Sequence, residues 1–577
     1  MSAAVVTFLA IIAYAVGYRY YSRWLAQKVF VLDASAITPA HELEDGIDFV
    51  PTRPLVLFGH HYASIAGLAP MLGPAVAVFW GWLPALLWVV FGSLLVGCVH
   101  DFAALVLSVR HRGESIGSLC ESILGPKAKA LFLLLILFGV ALAMGVFVYI
   151  ISLLFSWNDD FNPAALAQST TSFPEVVMPS AGLMIVAVVC GWLLYVKKKP
   201  LLPVTIGGFS ALLALIGLGY MYPTLGFERA SWPQQSTWIW VLMVYAYAAS
   251  VLPVWLLLQA RDFLNSLLLV MGLLLMYSGF FIQAPTFDAP AFNPNPDGAP
   301  PIFPFVFITI ACGAASGFHS LVASGTTARQ LDKETHARPI GYGGMIAESL
   351  LGLIAVLACT TTFSSGSAWA KLYVNWGAVS ATLGAKLGVF IRGSASFIHE
   401  LGVPVELATT LVAMVVVSFA LTTLDSATRL LRFNIEEIGS AISKVSGLSP
   451  IGRLLTNRYI ATAGACGVIS FFAFFEIDGK PAGLTLWTLF GGTNQLIAGL
   501  ALLTATVYLK NKGRNYWPLA IPAVFMIAIT MFALVSKLID FQNSDQTLLL
   551  ILTAALVFIG VGVGITALRS LRVGARD

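Results

Sequence analysis

Apolar runs near twenty residues long recur along this chain from one end to the other. A run of that length, wound as a helix, spans the ~30 Å hydrocarbon core of a bilayer. Lipid offers the backbone no hydrogen-bond partner, so only helices and closed barrels cross it. These runs are continuous and do not alternate with polar residues, which selects helices. Composition agrees: of 577 residues, 58% are hydrophobic, 10% are charged, and mean hydropathy is +0.86. A water-soluble globule does not carry that balance. The expectation is an all-α polytopic membrane protein, one integral membrane domain over 1–577.

The pattern predicts fifteen helices, at 3–22, 54–82, 84–109, 128–155, 179–196, 201–222, 236–258, 263–283, 302–328, 340–363, 404–428, 458–476, 482–509, 516–538 and 546–568. Loop charges orient them. Arg110, Arg112, Lys127, Lys129, Lys197, Lys198, Lys199, Arg261, Arg329, Lys333, Arg338, Arg429, Arg432, Lys444, Lys510, Lys512, Arg514 and Arg569 fall on one side. Asp159, Asp160, Glu175, Glu476, Asp478, Asp540 and Asp545 fall on the other. The basic side is then cytoplasmic, with the N-terminus outside and the C-terminus inside. The first run is followed by Tyr18-Arg19-Tyr20-Tyr21 and lacks a basic n-region, so it reads as a retained helix. The second and ninth helices run in opposite directions, and each opens a set of five, 54–222 and 302–509. This is a LeuT-like five-plus-five inverted repeat. The segments 1–53, 236–283 and 516–577 would be peripheral, and 364–403 an external loop with a short amphipathic helix.

Within these runs a glycine-flanked histidine motif, G-x-H-x5-G, occurs twice. One copy is Gly59-His60-His61-Tyr62-Ala63-Ser64-Ile65-Ala66-Gly67, the other Gly317-Phe318-His319-Ser320-Leu321-Val322-Ala323-Ser324-Gly325. Ionisable and helix-weakening residues are expensive in a bilayer and mark a site. His60, Ser64 and Gly67 share a face, while His61 points elsewhere. Ala69, Pro70 and Pro74 follow, and prolines free carbonyls that need another partner. In the ninth helix Gly313, Ser316, Gly317, His319, Ser320, Ser324 and Thr327 gather polar and small residues, which also serve close helix packing. Both histidines lie roughly 10–14 Å from the cytoplasmic face at 1.5 Å per residue. They are not mirror mates of an inverted repeat, and fit a cytoplasmic gate or proton exit better than a primary clamp.

The other intramembrane polar residues suit ion or proton coupling. They are Asp101 beside His100, Glu348 deep in the tenth helix, and Thr422, Thr423, Asp425 and Ser426 in the eleventh. Hydroxyls and a carboxylate are hard ligands for Na⁺, and a carboxylate can instead carry H⁺. An Asp425–Arg429 pair near the helix end is the plainer alternative. Gly491-Gly492-Thr493-Asn494-Gln495 is expected to interrupt the thirteenth helix. The six cysteines (98, 120, 190, 312, 359 and 466) lack metal spacing and read as buried apolar groups. No phosphate loop, nucleophile elbow or zinc motif occurs.

At these residues the chain resembles the carbon starvation protein A (CstA) family. The resemblance rests on Phe58-Gly59-His60-His61-Tyr62-Ala63-Ser64-Ile65-Ala66-Gly67 with Pro70 and Gly73-Pro74; on His100-Asp101-Phe102; and on Ser316-Gly317-Phe318-His319-Ser320 with Ser324-Gly325-Thr326-Thr327. It continues in Ile340-Gly341-Tyr342-Gly343 with Glu348-Ser349, Thr428-Arg429 with Arg432-Phe433, and Leu489-Phe490-Gly491 with Asn494-Gln495. It implies a bacterial inner-membrane secondary transporter, not an enzyme, related to the amino acid–polyamine–organocation superfamily. Its substrate would be a peptide or pyruvate, taken up under carbon or nutrient starvation by symport with H⁺ or Na⁺. No cofactor, resident metal or nucleic acid is expected, and the oligomeric state stays open. Substrate would sit among His60, His61, Ser64, Gly67, Ala69, Pro70, Gly313, Ser316, Gly317, His319, Ser320, Asn494 and Gln495. Asp101, Glu348, Thr422, Thr423, Asp425 and Ser426 would serve the coupling ion. The rival from another class is a membrane redox or metal-binding protein using the intramembrane histidines.

Overall fold

The computed structural model describes residues 2–157, 171–377, 383–445, 447–477 and 480–573. Asp159, Asp160 and Asp478, placed above on the less basic side, lie outside the described residues. The described chain is helical apart from a two-residue pairing of Glu476–Ile477 with Lys480–Pro481 and two isolated bridges. Eleven of its helices are long and apolar enough to cross a membrane: Ala3–Val29, Trp82–Arg110, Pro126–Phe155, Pro174–Val196, Leu201–Met221, Leu258–Gln283, Glu334–Ala358, Val405–Ser443, Leu489–Asn511, Trp517–Asn543 and Thr547–Ala567. Pro54–Ile65 and Ala69–Trp80 form a further candidate bent by 46°. Helices also occupy Gln235–Val251, Ile302–Thr309, Gly317–Val322 and Arg458–Phe474.

Packing sorts these helices. Helix 126–155 lies against helices 405–443, 458–474 and 482–511, and helix 258–283 runs along helix 54–65. Helices 174–196 and 201–221 pack on each other as a hairpin. Helix 201–221 buries one narrow strip, Val204, Gly208, Leu212, Ile216 and Gly219, at three- to four-residue spacing. Its other faces point outward, as a lipid-facing helix requires.

The two breaks have local causes. Pro70 sits in the first turn of helix Ala69–Ala77, where a missing N–H removes no bond, and Pro74 alone lies inside it. The expectation that Pro70 frees a carbonyl therefore does not hold, because the helix restarts at Ala69. The second break falls between Thr309 and Gly317. The two breaks abut: a Cβ on Gly73 would stand 2.6 Å from the Thr309 carbonyl oxygen.

Four expectations are corrected. Helix Ala482–Asn511 is continuous through 491–495. There Gly491 gives room for the Ile308 carbonyl, and Thr493 donates to the Leu489 carbonyl at 2.8 Å. Helix Val405–Ser443 does not stop at 428 but runs for 39 residues, because Arg429 and Arg432 are buried and paired. Arg261 is not a loop residue but lies fully buried in helix 258–283. Within 364–403, Leu383–His399 is a 17-residue helix packed against helices 69–77, 258–283, 343–358 and 405–443. Its Leu387, Phe390, Ile391, Phe397 and Ile398 are fully buried, so hydrophobic packing holds it inside the bundle.

Candidate functional site

A cavity of about 20 Å³ lies between the two breaks. That is room for about one water. Of the candidate residues, Gly67, Ala69, Pro70, Thr423 and Asn494 line it, together with Phe147, Cys312 and Phe318. His60, His61, Ser64, Gly313, Ser316, Gly317, His319, Ser320 and Gln495 do not. Gly67 belongs here because a Cβ would come within 2.7 Å of Thr423 Oγ1.

Asn494 and Gln495 brace the second break from helix 482–511. Asn494 Oδ1 accepts from the Phe318 N–H at 3.0 Å and from Ser316 Oγ at 3.2 Å. This satisfies a donor left over where the helix restarts. Gln495 Nε2 donates to the Phe307 carbonyl at 2.5 Å, closing the preceding half-helix. Ser320 Oγ donates a hydrogen bond to the Gly317 carbonyl at 2.7 Å. At the first break, Thr423 Oγ1 donates to the Ser64 carbonyl at 3.2 Å, and Ser64 Oγ meets Ser426 Oγ at 2.9 Å.

His319 organises one buried polar network. Its Nδ1 lies 2.9 Å from Asp101 Oδ2, and its Nε2 lies 2.9 Å from Glu348 Oε2, out of hydrogen-bond alignment. Asp101 Oδ1 meets His100 Nδ1 at 2.9 Å. His61 stands on the neighbouring helix with Nδ1 2.9 Å from Thr327 Oγ1. Gly344 lets its ring approach, since a Cβ there would sit 2.9 Å from the imidazole. His61, Asp101, His319 and Glu348 are fully buried, and His100 nearly so. Neither oxygen of Glu348 has a hydrogen-bond partner. Two carboxylates and facing imidazoles, with no lysine or arginine contact among the described residues, take their net charge from bound protons.

Arg261 organises the other. Its Nη2 donates to Asp262 Oδ1 at 2.6 Å, and its Nη1 donates to Asp425 Oδ2. Tyr245 adds its hydroxyl to the same Asp425 oxygen at 2.5 Å. Asp262 Oδ2 reaches His60 Nδ1 at 2.6 Å. Asn265 Nδ2 donates to Thr422 Oγ1 at 3.0 Å. Asp425 therefore pairs with Arg261 and not with Arg429, against the i,i+4 alternative. Arg261, Asp262, Tyr245 and Asn265 escaped the sequence reading. The available signal was two adjacent charges, Arg261-Asp262, at the edge of an apolar run, which read as loop.

Outside the spans, the segment before helix 54–65 crosses over helix 405–443. Asp48 binds Arg429 Nη1 at 2.7 Å and Arg432 Nη2 at 3.5 Å. Val50 N and Thr52 N donate to the Arg329 and Gln330 carbonyls at 3.3 and 3.1 Å. Burial pushes the Asp48 carboxyl up, but the guanidiniums of Arg429, Arg432 and Arg329 outweigh it and hold it below the ordinary range.

Broken apolar helices around a closed central cavity, flanked by buried charge networks, define a multi-span membrane protein with an intramembrane polar site. The family described as "Carbon starvation protein CstA" matches residues 2–385 and 367–533, and this chain belongs to it. The "Peptide transporter CstA" of Campylobacter jejuni is 33% identical over 95% of this chain and 82% of its own length. That of Helicobacter pylori strain 26695 is 34% identical over 93% and 82%. The "Pyruvate/proton symporter BtsT" of Escherichia coli K12 is 31% identical over 95% and 83%.

Proposed function

We propose that the chain is a proton-coupled secondary transporter of the bacterial inner membrane, importing peptides or pyruvate under carbon limitation. The observation that carries this reading is His319, held between Asp101 and Glu348 on the helix that restarts beside the central cavity. Proton uptake there changes the charge of a buried group, and that change biases the packing of the helices bearing it. The relatives' names, peptide transporter and pyruvate/proton symporter, support the same reading. No observation favours the redox or metal alternative. In this reading the substrate carboxylate meets the N-terminus of half-helix 69–77, whose Ala69 and Pro70 line the cavity. The narrow cavity makes helix movement part of binding. Arg261 occupies the corner between helices 54–65, 258–283 and 405–443 as a resident cation, which disfavours Na⁺ there.

The proposed architecture has fifteen crossings, with the N-terminus outside, the C-terminus inside, and an inverted repeat whose first unit differs from 54–222. Its members are 54–80, 82–110, 126–155, 235–251 and 258–283, with hairpin 174–221 inserted. The second unit runs from 302 to 511. Packing supports this pairing. Helix 235–251 lies on helices 126–155 and 405–443, as helix 458–474 does. Helix 54–65 lies on helix 258–283 as helix 302–309 lies on helix 482–511. Proteoliposomes with an imposed gradient of either H⁺ or Na⁺ test the function. Labelled pyruvate or a labelled dipeptide should accumulate uphill with the H⁺ gradient alone. Accumulation driven only by Na⁺, or none with either gradient, would overturn the proposal.

A further inference from the structure

A second cavity, of about 80 Å³, adjoins the first at the end of the bundle marked by Pro300, Trp376 and Lys537. Ala69, Cys312 and Phe490 line both, so only these side chains separate the two. Among the described residues, the charged side chain lining this cavity is Lys537, on helix 517–543. That helix buries Met526, Thr530, Ala533, Leu534 and Phe541. Lys537 follows Thr530 and Ala533 by seven and four residues, which places it on the inward face and not toward lipid. A lysine bound only for the interface would sit on the outer face, where its stem can snorkel along lipid. Here the ammonium rests 4.9 Å from the Phe305 ring centroid and 5.9 Å from that of Phe541. Phe305 belongs to the half-helix that leads into the second break. The Lys537 side chain is 18% exposed, and its acidic partner Asp540, at 3.4 Å, is 57% exposed. The pair is loose and open enough to exchange.

We propose that Lys537 forms an outer subsite that captures the substrate's carboxylate before it reaches the cavity between the breaks. The inference rests on the transport reading for its substrate. A carboxylate entering the outer cavity displaces Asp540 as partner of the ammonium. The flanking rings hold the cation in place but offer it no competing anion. Pyruvate and a peptide C-terminus share this chemistry.

The test compares Lys537→Gln, Lys537→Arg and Asp540→Asn in proteoliposomes. Loss of one charge-assisted contact should raise KM of Lys537→Gln by about tenfold for pyruvate and for a dipeptide, with kcat nearly unchanged. Lys537→Arg should stay near wild type, and Asp540→Asn should lower KM. A dipeptide amide, lacking the carboxylate, should not distinguish Lys537→Gln from wild type. An unchanged KM in Lys537→Gln, or kcat and KM failing together in both lysine variants, would overturn the subsite. A second measurement does not depend on transport. Acetylation of Lys537 by a membrane-impermeant amine reagent, read by mass spectrometry, should be slowed by pyruvate and not by lactamide. If wild type carries neither substrate, the transport reading falls while this protection still decides the subsite. Protection supports it, and equal labelling with and without pyruvate overturns it.

Discussion

The two buried networks use the same residue types to opposite ends. Around Arg261, two carboxylates share a guanidinium that stays protonated at any physiological pH. Around His319, two carboxylates face imidazoles and no permanent cation. The first keeps a permanent cation between its two carboxylates and ties helix 258–283 to helix 405–443. The second has its charge set by bound protons and ties helix 82–110 to helices 317–327 and 334–358. A fixed charge suits a joint; a variable one suits a coupling element. The first copy of the glycine–histidine motif splits its two histidines, His60 facing Asp262 and His61 standing beside the network to which the second copy supplies His319.

The largest effect expected from this contrast is at Arg261. Arg261→Met would leave Asp262 and Asp425 buried without their cation, at a cost of about 3–5 kcal/mol. Folded, monodisperse protein should be largely lost on fluorescence-detected size exclusion. Arg261→Lys should recover little of it, because one nitrogen on a shorter side chain does not reproduce the two separated donors, Nη1 and Nη2, that reach Asp425 and Asp262. A well-folded Arg261→Met variant would show that the joint lies elsewhere.

At Glu348 the loss should fall on function and spare the fold. Glu348→Gln keeps the shape and cannot release a proton, so concentrative uptake should drop by more than about tenfold, the scale of losing a positioned proton carrier. Counterflow exchange of substrate needs no net proton movement and should persist. Full accumulation in Glu348→Gln would remove this carboxyl from the coupling path and leave Asp101 as the acid beside His319.

How much of this was legible follows from what each signal measures. Hydropathy found the helices because lipid imposes it residue by residue. Glycine and proline punctuate the backbone locally and mark the bend after Ile65, but the same signal at Gly491-Gly492 marks no break, because helix Ala482–Asn511 runs through it. The joint was not legible. Arg261 and Asp262 sit at the start of an apolar run, where hydropathy treats charge as loop, and their partners lie on distant segments. The same blindness ended helix 405–443 at Arg429, because a single sequence does not reveal that Asp48 neutralises it. The proposed repeat shows a different limit. Removing a two-helix hairpin leaves the direction of every other helix unchanged, so loop charges fit 54–222 and the revised unit equally. The helix packing is what favours the revised unit.

The latch at Asp48 separates fixed from variable charge outside the membrane. Its carboxyl is held below the ordinary range, so the contact is complete above that range and fails only as pH falls through the depressed value. Between about pH 5 and pH 8 it should not titrate. A pH dependence of uptake in that window then does not come from Asp48. Asp48→Asn should speed thiol labelling of a cysteine placed at Ser64 from the side of the basic loops by several-fold, without moving the pH profile of uptake. A profile that shifted with Asp48→Asn would assign the latch a share of the coupling.

The smallest effect expected is at Asn494, which touches the central cavity yet spends its side chain on the second break. Asn494→Ala would orphan the Phe318 N–H and release Ser316, at a cost of about 1 kcal/mol, comparable to losing a helix cap. Thermal unfolding should begin slightly earlier, KM should rise modestly, and the substrate-to-proton ratio should not change. The reasoning is the same as for the joint: a neutral amide that satisfies backbone groups has no proton to give in the physiological range. If the ratio changed, bracing the break and titrating beside it would be one event. His319, two residues along from the Asn494-bound Gly317 turn, would then move as the break closes and not merely as it gains a proton.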